Sequence, residues 1–172
     1  MLDSTIFRNW SMQKITRFIA YLADRVVRER PRCPKIVRDA VWLCHQASAG
    51  RVKSAEWSLQ ASQTIQEAYP APHWQFVAQV LAVAYWTVCG NAEDETCASG
   101  RMVQKERFGY ARIAASYAFE LAQELGVNGY DLAELYLCMN YGADIAPDRR
   151  DAALAALVAG YADVADDIVS RT

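Results

Sequence analysis

Between His73 and Cys89 the sequence is apolar on nearly every side of a helix, and this segment restricts the fold more than any other. A helix without a polar face must be surrounded by other elements or by lipid. The uncharged stretch from Pro70 to Ala92 is interrupted by Gln75, Gln79, Thr87, Gly90 and Asn91. Its apolar part falls short of the ~20 residues that span a bilayer. The segment therefore reads as a buried central helix, and its neighbours must supply faces to cover it.

Those neighbours carry the matching pattern. Ile15, Phe18, Ile19, Leu22 and Val26 recur at three- and four-residue steps within a helix expected over Ser4 to Arg30, which Pro31 and Pro34 end. A second helix is expected from Lys35 to Ala49, burying Val37, Ala40, Val41, Cys44 and Ala47 and stopping at Gly50. A third opens near Ser54 as its N-cap, with Glu56 in the first turn, and turns Val52, Ala55, Leu59 and Ser62 to one side. Gly90 to Gly100, with the acidic run Glu93-Asp94-Glu95, reads as a loop. A long helix then runs from Met102 to Leu125 and a short one from Tyr130 to Asn140. The last opens on Pro147 and buries Leu154, Leu157, Val158, Tyr161, Val164, Ala165 and Ile168. No window alternates with period two between hairpin turns. The expectation is an all-α protein of about seven helices, a single compact bundle or short stack of helical hairpins over 1–172. Two halves, 1–90 and 101–172, joined by the acidic loop, are the alternative division.

Of the 172 residues, 53% are hydrophobic and 22% charged, which excludes disorder and supplies a core. The net charge of −2 hides an asymmetry: residues 1–38 hold nine Lys/Arg against three acids, and 39–172 hold nine against seventeen. Such a division steers a charged partner or joins two parts of one fold. The N-terminus has no basic segment leading into an apolar run, so a cytoplasmic location is expected. Five cysteines without CxxC spacing suggest reduced thiols, with a Cys89–Cys97 bridge across the loop as the alternative.

Catalytic and metal motifs are sparse. His45 and His73 lie in separate helices, outside HExxH or ExxH spacing, and the cysteines do not form zinc knuckles, so no metal or cofactor is expected. Asp163, Asp166 and Asp167 share neighbouring positions on the last helix. They could hold Mg²⁺, but they read first as a solvated face with a small cost at the negative end of the helix dipole. Neither a Gly-x-Ser-x-Gly elbow nor a phosphate-cradling glycine loop is present. Lys14, Arg17, Arg25 and Arg28 form a basic stripe on the first helix that would grip phosphates if the protein met nucleic acid. The nearby Phe7, Trp10, Phe18 and Ile19 are expected in the core. Trp42 and Trp57 fall off the apolar stripes of their helices and are candidates for interface anchors, with burial expected for at least one of them.

Ala47-Ser-Ala-Gly50-Arg51 with Glu56 is echoed by Ala98-Ser-Gly100-Arg101 with Glu106, a faint repeat with a period of about 50 residues. The segment Gln46-Ala-Ser-Ala-Gly50-Arg-Val-Lys-Ser-Ala-Glu56-Trp-Ser, within residues 40–62, resembles the helix–Gly–helix unit of the alanine-rich bacterial immunity protein family. The resemblance implies a non-enzymatic inhibitor, antitoxin-like, that covers a toxin or a nuclease complex. In this expectation Glu93, Asp94, Glu95, Asp163, Asp166 and Asp167 steer the chain to a basic partner, and aromatics such as Trp42 and Trp57 supply affinity. A phage-encoded inhibitor of a nuclease complex fits the same pattern. The alternatives are a nucleic-acid-associated regulator using the basic stripe, and a homodimer.

Overall fold

A computed structural model describes residues 2–28, 30–91 and 102–171. They form a short 3-10 helix at Ser4–Asn9 and eight α-helices: α1 (Met12–Arg28), α2 (Lys35–Ser48), α3 (Glu56–Ala68), α4 (Pro72–Asn91), α5 (Gln104–Glu124), α6 (Gly129–Tyr141), α7 (Pro147–Val158) and α8 (Ala162–Ser170). No strand occurs among the described residues, and the chain is all-α. As its composition requires, α4 is the central element. It packs on α1, α2, α3 and α5, and buries Phe76, Val77, Val80, Leu81, Val83 and Ala84. The Thr87 hydroxyl donates to the Val83 carbonyl at 2.8 Å and lies 2.8 Å from the Thr16 hydroxyl of α1, so neither buried oxygen goes unpaired.

Several elements differ from the expectations, each for a local reason. The first helix is broken. Asp3 accepts from the Thr5 N–H at 2.9 Å and starts the 3-10 turn, and Trp10 adopts an extended backbone before α1 begins. The break swings Phe7 and Trp10 back onto Phe18 and Phe119, at centroid distances of 5.3–5.9 Å. On α3 the expected inward residue Leu59 is exposed, and Ser58 and Ile65 face the core instead. The Ser58 hydroxyl donates to the Leu81 carbonyl of α4 at 2.6 Å, which satisfies it while its small size admits close packing. The single helix expected after Pro147 is two, because the chain turns at Gly160 (φ +92°). That turn resets the helical phase and leaves Tyr161 and Val164 exposed, while Ala165 stays buried; within α7 Ala153, Leu154 and Leu157 are buried and Val158, expected inward, is exposed.

The stop after α2 has the form expected. Gly50 takes φ +70°, its N–H bonds to Ala47 O and the Arg51 N–H to Gln46 O, both at 3.0 Å, which is the Schellman arrangement. The acidic run Glu93–Glu95 and the Ala98–Arg101 part of the faint repeat fall in 92–101, outside the described residues, while Gly90 and Asn91 belong to α4 and Glu106 to the first turn of α5. Among the cysteines, Cys33, Cys44 and Cys138 are free thiols. Cys89 is disulfide-bonded, a departure from the reduced thiols expected, and Cys97 lies outside the described residues.

Gly90, expected to open the loop, is instead the last buried residue of α4. A Cβ there would lie 2.3 Å from Phe108 Cε1 of α5. Gly90→Ala should therefore force the ring aside and cost about 1–3 kcal/mol as an overpacking change. Urea denaturation of the variant checks this, and an unchanged midpoint would show that Phe108 moves freely.

Candidate functional site

The side chains that could meet a ligand or partner fall into three places. The first is a polar cleft of about 350 Å³ bordered by the 3-10 helix, α1, α6 and α8. It joins residues from both charged sets read in the sequence. Lys14 Nζ donates to Asn140 Oδ1 and sits 4.6 Å over the Trp10 ring, which stacks on Tyr136 at 5.7 Å. The Tyr136 hydroxyl donates to the Asp166 carboxylate at 3.0 and 3.1 Å, and Tyr141 shares the same acceptor. Desolvation pushes the Lys14 ammonium below its usual value. Burial, reinforced by the Asp166 charge and hydrogen bond, pushes the Tyr136 phenol well above its usual value, and burial with the Asp166 hydrogen bond takes Tyr141 up to about 12.

Asp166 thus serves as an internal tie between α6 and α8. Asp167 pairs with Arg171 one turn on, and Asp163 is exposed. Because the chain breaks at Gly160, Asp163 lies in the first turn of α8, where its charge suits the helix dipole instead of opposing it.

The two tyrosines make stability pH-dependent. A phenol whose folded pKa is raised contributes its full stabilisation below the unfolded value near 10. That contribution is lost as pH rises through the folded value, here over the interval from about 10 to about 12 for Tyr141. Lys14, lowered on folding, acts with the opposite sign just below its ordinary value. Comparison with the Tyr136→Phe/Tyr141→Phe variant separates the two. Wild type should lose stability more steeply than the variant above pH 10, as read by denaturant midpoints, and parallel curves would refute the coupling.

The second place is the basic stripe. Arg17, Tyr21, Arg25 and Arg28 do lie along one exposed face of α1, with Lys14 half-buried at its start. Arg25 is engaged with Asp131 at 3.3 Å and Lys14 is committed to the cleft, whereas Arg17 and Arg28 have no carboxylate partner among the described residues. His45 bonds Asp24 at 2.6 Å, a satisfied pair between α2 and α1. Among the described residues no group of three or more His, Cys, Asp or Glu is placed to hold a metal ion. No helix among them is long and apolar enough to cross a membrane.

The third place was missed from sequence. The outer face of α5 shows Tyr110, Ile113 and Tyr117, of which Ile113 is 69% and Tyr117 58% exposed. Tyr110 stacks on the half-buried Trp86 of α4 at 5.0 Å and 23°, which anchors one end of the strip. Glu120 and Glu124 lie on the same side of the helix, exposed and without ion-pair partners among the described residues. The opposite side is the alanine row Ala111, Ala115, Ala118 and Ala122, buried on α4 and α1. The signal was present as a second row at i, i+3 and i+7, but the alanine row accounts for helix packing by itself and drew the reading inward.

Of the two tryptophans expected to anchor an interface, Trp42 is 60% exposed on α2 and Trp57 is half-buried, its indole N–H enclosed without a hydrogen-bond partner among the described residues. Trp42 sits on α2, which packs on α1, α3 and α4, whereas the α8 carboxylates sit on a helix that packs on α7. Glu93, Asp94 and Glu95 lie outside the described residues. Compared with models of known families, with curated proteins and with solved structures, the chain matches none.

Proposed function

We propose that the chain is a non-enzymatic protein-binding inhibitor that covers a basic surface of its partner, with the α5 strip as its docking face. The supporting observation is the Tyr110–Ile113–Tyr117 row, exposed on a helix whose other side is already fully packed. An apolar side chain as exposed as Ile113 contributes nothing to folding where it stands, and contiguous exposed apolar groups mark interaction sites. Aromatic side chains concentrate binding energy when a partner desolvates them. Glu120 and Glu124 rim the strip with negative charge that has no ion-pair partner among the described residues, which suits a basic partner and speeds encounter. The antitoxin- or immunity-like role belongs to this reading, with a toxin or nuclease complex as the class of target.

The test is a binary complex with the host protein retained by wild type, measured for affinity, association rate and loss of the partner's activity. Ile113→Asp should weaken binding at least a hundredfold with the melting temperature unchanged. Glu120→Lys/Glu124→Lys should slow association about tenfold and flatten its salt dependence. Full binding by Ile113→Asp, or charge reversal without kinetic effect, overturns the reading. So does a homodimer that Ile113→Asp dissolves, since the strip would then belong to a second copy.

A further inference from the structure

The face of α1 that carries Arg25 and Arg28 does not close against α6. Between α1, α6 and α7 lies a groove of about 310 Å³ floored by Leu22, Val127 and Leu135. Small-ligand sites begin at about this volume. The walls are charged and largely paired. Arg25 reaches Asp131 at 3.3 Å through a single nitrogen, Arg150 donates to Glu134 Oε1 at 3.0 Å, and His45 holds Asp24 Oδ2 at 2.6 Å. Asp131 spends its other oxygen on Asn128 at 3.2 Å.

Three groups on these walls keep unused capacity among the described residues: the whole guanidinium of Arg28, Asp24 Oδ1 and Glu134 Oε2. Arg25 and Arg28, three residues apart, project from one side of α1. The groove therefore offers adjacent guanidinium groups, an apolar floor, and carboxylate oxygens able only to accept.

We propose that this groove binds a small phosphate monoester whose body carries hydrogen-bond donors, the chemistry of a nucleoside monophosphate. The phosphate lies against Arg28 and the free edge of Arg25, because a planar guanidinium presents paired donors that match phosphate oxygens. The body covers Leu22, Val127 and Leu135, and its amino or hydroxyl groups donate to Asp24 and Glu134. Inorganic phosphate would use only the arginines. An uncharged nucleoside would use only the floor and the carboxylates and leave Arg28 unpaired. The site is independent of the α5 strip, so it stands or falls apart from the inhibitor reading.

Isothermal titration of the full chain with adenosine monophosphate tests it, with adenosine and inorganic phosphate as separate titrants. The monophosphate should bind at least tenfold more tightly than either. Arg28→Ala, at an exposed position, should weaken it at least tenfold without shifting the melting temperature, and Leu135→Trp should fill the floor and abolish binding. If Leu135→Trp fails to fold, Arg28→Ala still decides. Absence of binding at millimolar monophosphate, equal affinity for inorganic phosphate, or an unaltered affinity in Arg28→Ala overturns the proposal. Equal affinity for inorganic phosphate would reduce the groove to a non-selective anion contact.

Discussion

Phe18→Ala is expected to lower stability by about 3–5 kcal/mol, the range for deleting a fully buried aromatic ring. Phe18 has no exposed surface and meets Trp10 at 5.3 Å, Phe7 at 5.9 Å and Phe119 at 6.1 Å between ring centroids. Two of these contacts are edge-on, a geometry that adds roughly 0.5–1.5 kcal/mol per pair beyond the area buried. The cavity left by alanine cannot be filled by collapse, because three different elements would have to move together. The loss should also reach the polar cleft, since Trp10 carries the Tyr136 stack and the Lys14 contact on its other sides. Phe18→Leu keeps most of the volume and should cost about 1 kcal/mol. Denaturant midpoints with near-ultraviolet circular dichroism measure both, and a cost under 1 kcal/mol for the alanine variant would place the aromatic cluster outside the cooperative core.

Arg107→Ala should be the next most damaging change, at about 2–4 kcal/mol. The side chain is buried in the first turn of α5, and its Nη1 donates to the Cys89 carbonyl at 2.7 Å. That carbonyl belongs to the last turn of α4, where backbone carbonyls lack partners within the helix and a side-chain donor can take their place. The guanidinium also places positive charge at the negative end of the α4 dipole. Alanine removes this partner and the aliphatic stem that fills the α4–α5 junction. Arg107→Met keeps the stem and gives up only the polar contacts, so it should lose only about half as much. Equal losses in the two variants would show that packing contributes nothing. A negligible loss in both would show that the carbonyl finds water.

Much of the fold was legible because helical burial is periodic. The apolar row from Ile15 to Val26 had one way to face a core, and α4 had only the option of being surrounded. Gly50 marked a helix stop through short-range chemistry alone, whereas the start of α6 at Asn128, which accepts the Asp131 N–H at 2.8 Å, went unread. Leu59 and Val158 were misplaced because a single row of apolar residues does not state which neighbour a helix meets. Ser58 faces α4 only because the Leu81 carbonyl is there to accept its hydroxyl. The candidate sites were harder still. The α1 stripe was visible in sequence, but the pairing of Arg25 with Asp131, 106 residues away, depends on where α6 lies.

The sequence alone determined that this chain is helical, that α4 lies innermost, and that its N-terminal region is basic and the remainder acidic. These properties follow from side-chain spacing and composition, which no packing arrangement alters. Tertiary structure decided which charges are used internally and which are left to meet a partner. Asp166 is taken up by Tyr136 and Tyr141, whereas Glu120, Glu124 and Arg28 keep theirs among the described residues. The physical reason is that a charge is neutralised or spared by groups within a few ångströms in space, and folding brings those groups from distant positions along the chain.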